Sequence, residues 1–501
     1  MKNALILTLA VVMFTSNMGY SFCGFYVAKA DVKLFNKASQ VIIAKNGDKQ
    51  TVTMSSDFQG DVKDFAMVVP VPVVLQQADI KTVKSTLFTK LDDYSAPRLV
   101  EYYDEDPCYV EPDFGLYSKT EMHADAMVMN MQYEAVADSM GVKVEAQYQI
   151  GTYDILILSA KESGGLETWL NMNGYKMPVG AKEVLDPYIK TNMKFFVCKV
   201  NLQEYAKTGS VDLDPLQITY TSPKFMLPIR LGMANSTGVQ DLIVYLYSKV
   251  GRIETTNYRT SLIPTDFKVP LFCQSEFGEF YRDLYNKAWT REGKNTVFLE
   301  YAWEVSPNQT QFCDPCTGDP PMVTDMKEAG VDWLELASTD YHTQARTYAG
   351  NVYFTRMHLT YDRDHFPQDL LFQETANKER FQGRYIITHP ANGDFSCEKG
   401  QAYIQELSKR RWNELYTYQW LTGRDITAHY DYPKEFNQYL KAGGGQKKQG
   451  GFMSPDEFSP EHATTEHTNM LTFFVSLLAF AGVVFALSRK RQLKVETTSQ
   501  K

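Results

Sequence analysis

Residues 142–159 read VKVEAQYQIGTYDILILS. They form two expected strands bent at Gly151, and the second, Ile155-Leu156-Ile157-Leu158, is apolar on both faces. Strand signals continue on either side. Residues 41–44 and 51–55 flank Asn46-Gly47-Asp48, and Asn-Gly between two such runs is a strong hairpin signal. Residues 65–71 are a continuous apolar run ending in Pro70 and the following Pro72, which are expected to cap a buried strand rather than sit inside it. Residues 195–200, 217–220, 242–247, 296–303, 353–361 and 384–388 add further strands.

Helices interrupt them. Leu166, Trp169 and Leu170 stand at helical spacing, placed to pin a helix against the Ile155 to Leu158 strand. Phe277, Phe280, Tyr281, Leu284 and Ala288 share one helical face, and Ile404, Leu407, Leu415 and Tyr418 share another. The run 142–263 is dominated by strands, which favours mixed or antiparallel sheets over a regular βαβ alternation. The expected class is α+β and β-rich, over an exported region 22–441 with room for two subdomains divided near residues 265–295. Aromatic residues reach 13% of the 501, which suits half-buried pleated surfaces.

The ends of the chain point to export and anchoring. Lys2, an apolar run over residues 4–14 and Gly19-Tyr20-Ser21 form a signal-peptide pattern over residues 1–21. Cleavage after Ser21 leaves Cys23 near the mature end, where a lipidated cysteine competes, although bulky Phe22 precedes it. Residues 470–488 carry no charge and span roughly 28 Å as a helix, which makes them an expected transmembrane helix through a lipid bilayer. Arg489, Lys490, Arg491 and Lys494 follow in a basic tail, 489–501, so the large domain is expected outside the cytoplasm, periplasmic or extracellular. Residues 442–469 are rich in glycine and polar side chains and read as a flexible tether.

The chemistry is sparser. Lys and Arg number 51 against 60 Asp and Glu, a formal −9, so there is no basic surplus to attract nucleic acid. Seven cysteines in an oxidising compartment allow at most three disulfides. Cys23, Cys313, Cys316 and Cys397 are the disulfide or redox candidates. Cys313-Asp314-Pro315-Cys316 follows a strand and precedes Gly318, Pro320 and Pro321, a loop context that suits a structural bridge better than a helix-activated thiol. A zinc site needs a second close pair, and none exists. His358, Asp362, Asp364 and His365 are weak metal candidates, more simply a polar turn ending a strand. No hydrolase elbow, zincin motif or P-loop occurs, so no catalytic residue and no cofactor is assigned.

Several stretches together resemble a bacterial exported protein family catalogued as the domain of unknown function numbered 2330. They are residues 64–72 (DFAMVVPVP), 153–160 running into 165–171, 223–234 with Phe225 to Gly232, Glu300-Tyr301-Ala302-Trp303 with the Cys313 to Cys316 segment, and His358 to Arg363. The resemblance spans nearly the whole exported region. It implies an exported bacterial protein, often membrane-linked, and brings no catalytic residues with it. The expected function is an outward-facing, membrane-anchored binding or scaffolding domain, its partner an envelope protein or ligand. The alternative is an envelope enzyme of unrecognised type, acting through the thiols of Cys313 and Cys316.

Overall fold

Two tight turns set the first pairings. Strands Ser39–Asn46 and Lys49–Met54 meet with Asn46 opposite Lys49, so the loop is Gly47-Asp48, one residue later than the Asn-Gly signal. Strands Val142–Ile150 and Tyr153–Ala160 meet with Ile150 opposite Tyr153. Gly47 and Gly151 both have positive φ (59° and 53°) and the residue after each does not. Glycine at the first of two loop positions is what a type II′ hairpin turn needs.

The computed structural model describes residues 25–26, 35–36, 39–55, 58–59, 66–108, 142–173, 181–208, 213–235, 238–305, 319–339, 346–393 and 395–434. The expected signal peptide (1–21), Cys23, Cys313, Cys316, the tether (442–469), the transmembrane helix (470–488) and the basic tail (489–501) lie outside the described residues. Among the described residues, no helix is long and apolar enough to cross a membrane.

The chain divides into two compact units, 1–393 with 414–432, and 394–413 with 433–501. Residues 265–295, where a subdomain boundary was expected, lie inside the larger unit. In the smaller one, the Gln401 side-chain amide donates to the Phe395 carbonyl (2.7 Å) near the start of helix Glu398–Thr422.

Among the described residues, the larger unit is built on two main sheets, with four smaller ones of two or three strands. One is antiparallel throughout, in the order 25–26, 66–71, 194–200, 153–160, 142–150. The other runs 259–262, 296–304, 353–361, 240–248, 39–46, 49–54, 216–221, 80–82, with 381–382 also beside 296–304. It is mixed, because 240–248 runs parallel to 39–46 and 259–262 parallel to 296–304. The β-rich α+β class is therefore what the chain forms.

Alternation decides what each face does. Ile155 and Ile157 join Met67, Val69, Leu242, Leu246 and Met357 in a core between the sheets. Leu158 points the other way, into a cluster with Leu166, Leu170, Leu185 and Tyr188 from helices Ser163–Met172 and Ala181–Lys190, with Leu156 and Trp169 packed against it. The far face of the larger sheet is covered by helix Thr86–Ser95 through Leu87, Phe88, Leu91 and Tyr94.

Pro70 corrects one expectation. It lies inside strand Ala66–Val71, opposite Phe195, rather than capping it. The neighbour on its other side, Phe25–Tyr26, pairs only with Val68 and Met67. Among the described residues the strand is thus an edge at Pro70, and a missing N–H breaks no ladder there.

The cysteines also sort themselves. Cys108 and Cys397 are each disulfide-bonded, while Cys198 and Cys273 are buried free thiols whose pKa burial pushes up. With two of the seven cysteines free, five are left to bridge, and five close at most two. The ceiling is two intramolecular disulfides, not three.

Candidate functional site

Strand Thr296–Glu304 carries VFLEYA at residues 297–302, a single carboxylate in an apolar run. Glu300 is fully buried, and a buried charge must find partners or cost several kcal/mol. The backbone supplies the means. Leu299 pairs with Met357 and Tyr301 with Arg356, leaving Glu300 as the extra residue of a bulge. A bulge re-aims a side chain that strict alternation would send to the opposite face. Glu300 thereby meets Arg356 and His358, which stand two apart on strand Tyr353–Tyr361.

A chain of alternating charge results. Arg356 donates from Nε to Glu300 (2.6 Å) and from Nη1 to Asp92 (2.6 Å), which helix Thr86–Ser95 supplies. His358 Nδ1 faces Glu300 at 2.7 Å, and its Nε2 faces Asp241 at 3.1 Å. Tyr281 of helix Phe277–Arg291 donates to Glu300, Thr360 to Asp241 (2.6 Å) and Tyr245 to Asp92 (3.0 Å). The Tyr285 ring stacks on His358 at 4.1 Å. The two terminal carboxylates, Asp92 and Asp241, are each 41% exposed, so the chain is buried in the middle and wet at both ends.

Geometry fixes the protonation states. Both ring nitrogens of His358 face carboxylates, which only accept, so the ring must carry both protons. Burial pushes the imidazolium down, yet the charges of Glu300 and Asp241 outweigh it and hold its pKa up at about 10. Burial pushes the Glu300 carboxyl up, and the charges of His358 and Arg356 with the hydrogen bonds from His358 and Tyr281 hold it down at about 2. Arg356 is held above its usual range, because Tyr245, Glu300 and Asp92 outweigh burial. A proton-transfer group works best with a pKa near the working pH. The central groups here are held far from neutrality, so the arrangement ties strands and helices together.

A pH profile tests that lock. His358 is held above its ordinary 6.5, so its contribution is full below about pH 6.5 and is lost as pH rises toward 10. Glu300 is held below its ordinary 4.5, so its contribution is full above about pH 4.5 and fades toward pH 2. Melting temperature measured from pH 3 to 10 is expected to fall on both limbs, and His358→Gln should flatten the alkaline one. An unchanged alkaline slope in that variant would refute the assignment.

The four weak metal candidates are not brought together. His358 is committed to Glu300 and Asp241. Asp362 instead holds its own turn, accepting the amides of Asp364 (2.9 Å) and His365 (2.8 Å) and facing the His365 ring at 2.8 Å. No group of three or more His, Cys, Asp or Glu among the described residues is arranged to hold a metal ion. At the level of sequence, Glu300 is placed only within a stretch that resembles the family, and no role falls to Arg356, Asp92 or Asp241.

A second buried carboxylate, Asp369, accepts from Tyr188 (2.6 Å), from the amides of Ile229 (3.0 Å) and Arg230 (3.2 Å), and from the Arg230 guanidinium through Nε (3.2 Å) and Nη2 (2.9 Å).

Fold and site thus define a two-sheet α+β domain organised around internal ion pairs. The chain belongs to the family of the domain of unknown function numbered 2330, described as an uncharacterized protein conserved in bacteria, whose model matches residues 18–373. No curated protein and no solved structure matches it.

Proposed function

We propose that this chain is a membrane-tethered, outward-facing domain of the bacterial cell envelope that binds or scaffolds a partner. The observation that carries this reading is the locked charge chain Asp92–Arg356–Glu300–His358–Asp241. It stiffens a platform and offers no group poised for acid–base turnover. That Cys108 and Cys397 are each disulfide-bonded supports an oxidising compartment, and residues 470–491 support a single span with the large domain outside.

The test is made in intact cells. A reporter active only in the cytoplasm, fused after Lys501, is expected to be active, and chemical cross-linking from outside the inner membrane is expected to give one discrete heteromeric species. Replacing Cys313 and Cys316 together by Ser should change neither the cross-linked species nor, at equal abundance, the cellular phenotype of the chain. Loss of that phenotype at unchanged abundance, with the chain recovered alone, would favour the thiol enzyme instead.

A further inference from the structure

A small mouth opens in the larger unit where strand Ala66–Val71 of the antiparallel sheet and strand Leu216–Thr221 of the mixed sheet reach their ends. Its walls include Pro70, Pro72, Met193 and Met226, with Tyr220 and Lys224 as polar members, around a volume of about 140 Å³. Cavities of that order hold a benzene-sized group. The wall is built in advance of any ligand. Buried Gln50 donates from Nε2 to the carbonyls of Ser222 (3.0 Å) and Lys224 (3.1 Å), and the Lys224 amide donates to Ser222 Oγ (3.2 Å).

Two polar groups at this mouth are uncommitted. Among the described residues, the Tyr220 hydroxyl makes no hydrogen bond and the Lys224 ammonium makes no ion pair. Nearby cations are already used: Lys49 pairs with Asp332 (2.6 Å) and Arg230 with Asp369 (2.9 Å). Behind the wall, buried Lys45 holds its ammonium 5.2 Å from the Phe225 ring, with no carboxylate partner among the described residues. Asp48 stands at the adjoining turn and meets the segment through its main-chain carbonyl, which accepts the Ser222 amide (2.9 Å). Apolar walls, a free phenol donor and unbalanced positive charge describe one kind of guest.

We propose that this mouth binds a carboxylate carried on a compact apolar group. The apolar part lies against Pro70, Pro72, Met193 and Met226, and the carboxylate accepts from Tyr220 and pairs with Lys224. The proposal rests on the binding reading above and names its ligand class. A free small acid and the last residue of a peptide share that chemistry.

Purified full-length protein in detergent is titrated with benzoate, with benzyl alcohol, and with a short peptide ending in phenylalanine as free acid and as amide, read by calorimetry and ligand-observed NMR. Benzoate or the free-acid peptide is expected to bind, the tighter of the two identifying the source, and the neutral analogues to bind about tenfold more weakly or worse. Lys224→Ala, at an exposed side chain, should weaken binding by about tenfold or more, and Tyr220→Phe, which keeps the ring, by about three- to tenfold. Equal binding of acid and neutral analogues, or carboxylate binding that both variants leave unchanged, overturns the proposal. Failure of both carboxylates to bind also overturns it, while the platform reading still stands or falls on the cell experiment, which does not depend on Tyr220 or Lys224.

Discussion

Glu300→Ala is expected to lower stability by about 3–5 kcal/mol, the cost of removing one partner from a buried charged pair. Glu300 is fully buried and accepts from Arg356, His358 and Tyr281 together. Without it, the only carboxylate left to Arg356 is Asp92, at the wet end of the chain, and the only one left to His358 is Asp241. The imidazolium should then release its proton at lower pH, so the alkaline fall in melting temperature should begin earlier than in the unmodified protein. Urea denaturation of the full chain measures the first effect and its pH series the second. Glu300→Gln keeps the shape but not the charge, and is expected to fall between the two. A loss below about 1 kcal/mol for the alanine variant would mean that the cations are solvated in the folded state, and the account given for this site would be wrong.

Much of the framework was legible because it depends on local patterns. A strand apolar on both faces needs cover on both, and Tyr153–Ala160 has it: Ile155 and Ile157 face the other sheet, Leu158 the outer helices. Helical spacing likewise found Phe280, Leu284 and Ala288, which are buried in helix Phe277–Arg291. Pro70 was misjudged because proline's tolerance in a strand depends on whether a neighbour lies on its N–H side, and that neighbour comes from residues 25–26, far away in sequence.

The site itself was less legible, for a related reason. Asp92 and Arg356 are separated by 264 positions in the chain, and Glu300 and His358 by 58. Their meeting depends on the antiparallel pairing of 353–361 with 296–304, on the helix 86–95 packed over that face and on a bulge that no local propensity announces. A signal was nonetheless present. Glu300 is a lone charge in VFLEYA, and Arg356 and His358 fall on one face of a strand with no other charge-bearing residue. Charges that a strand pattern sends inward have to be paired, so opposite charges in two such strands are candidates to meet.

Asp369→Ala should produce a loss of similar size, about 3–5 kcal/mol, by a different route. Asp369 sits just before strand Leu370–Glu374, whose start pairs with Met226–Leu227. Its carboxylate gathers the chain that leaves that pair, through the amides of Ile229 and Arg230, and the helix Ala181–Lys190, through Tyr188. Arg230 closes the cluster, with two hydrogen bonds to Asp369 and its guanidinium 5.3 Å from the Tyr188 ring. Removing the carboxylate strands two amides, a phenol and a guanidinium at once. The phenol is buried and cannot turn to water, whereas Arg230, about a quarter exposed, partly can. Asp369→Asn retains Oδ1 as acceptor for the amides and the phenol. It replaces Oδ2, which accepts from Arg230, by an NH2 donor that the partly exposed guanidinium can turn away from. It should therefore cost less than alanine, about 1–3 kcal/mol. Hydrogen exchange localises the effect: protection at the Ile229 and Arg230 amides should fall in the alanine variant and largely persist in the asparagine one. Equal protection in the two variants would show that the backbone of residues 229–230 is held by something other than this carboxylate.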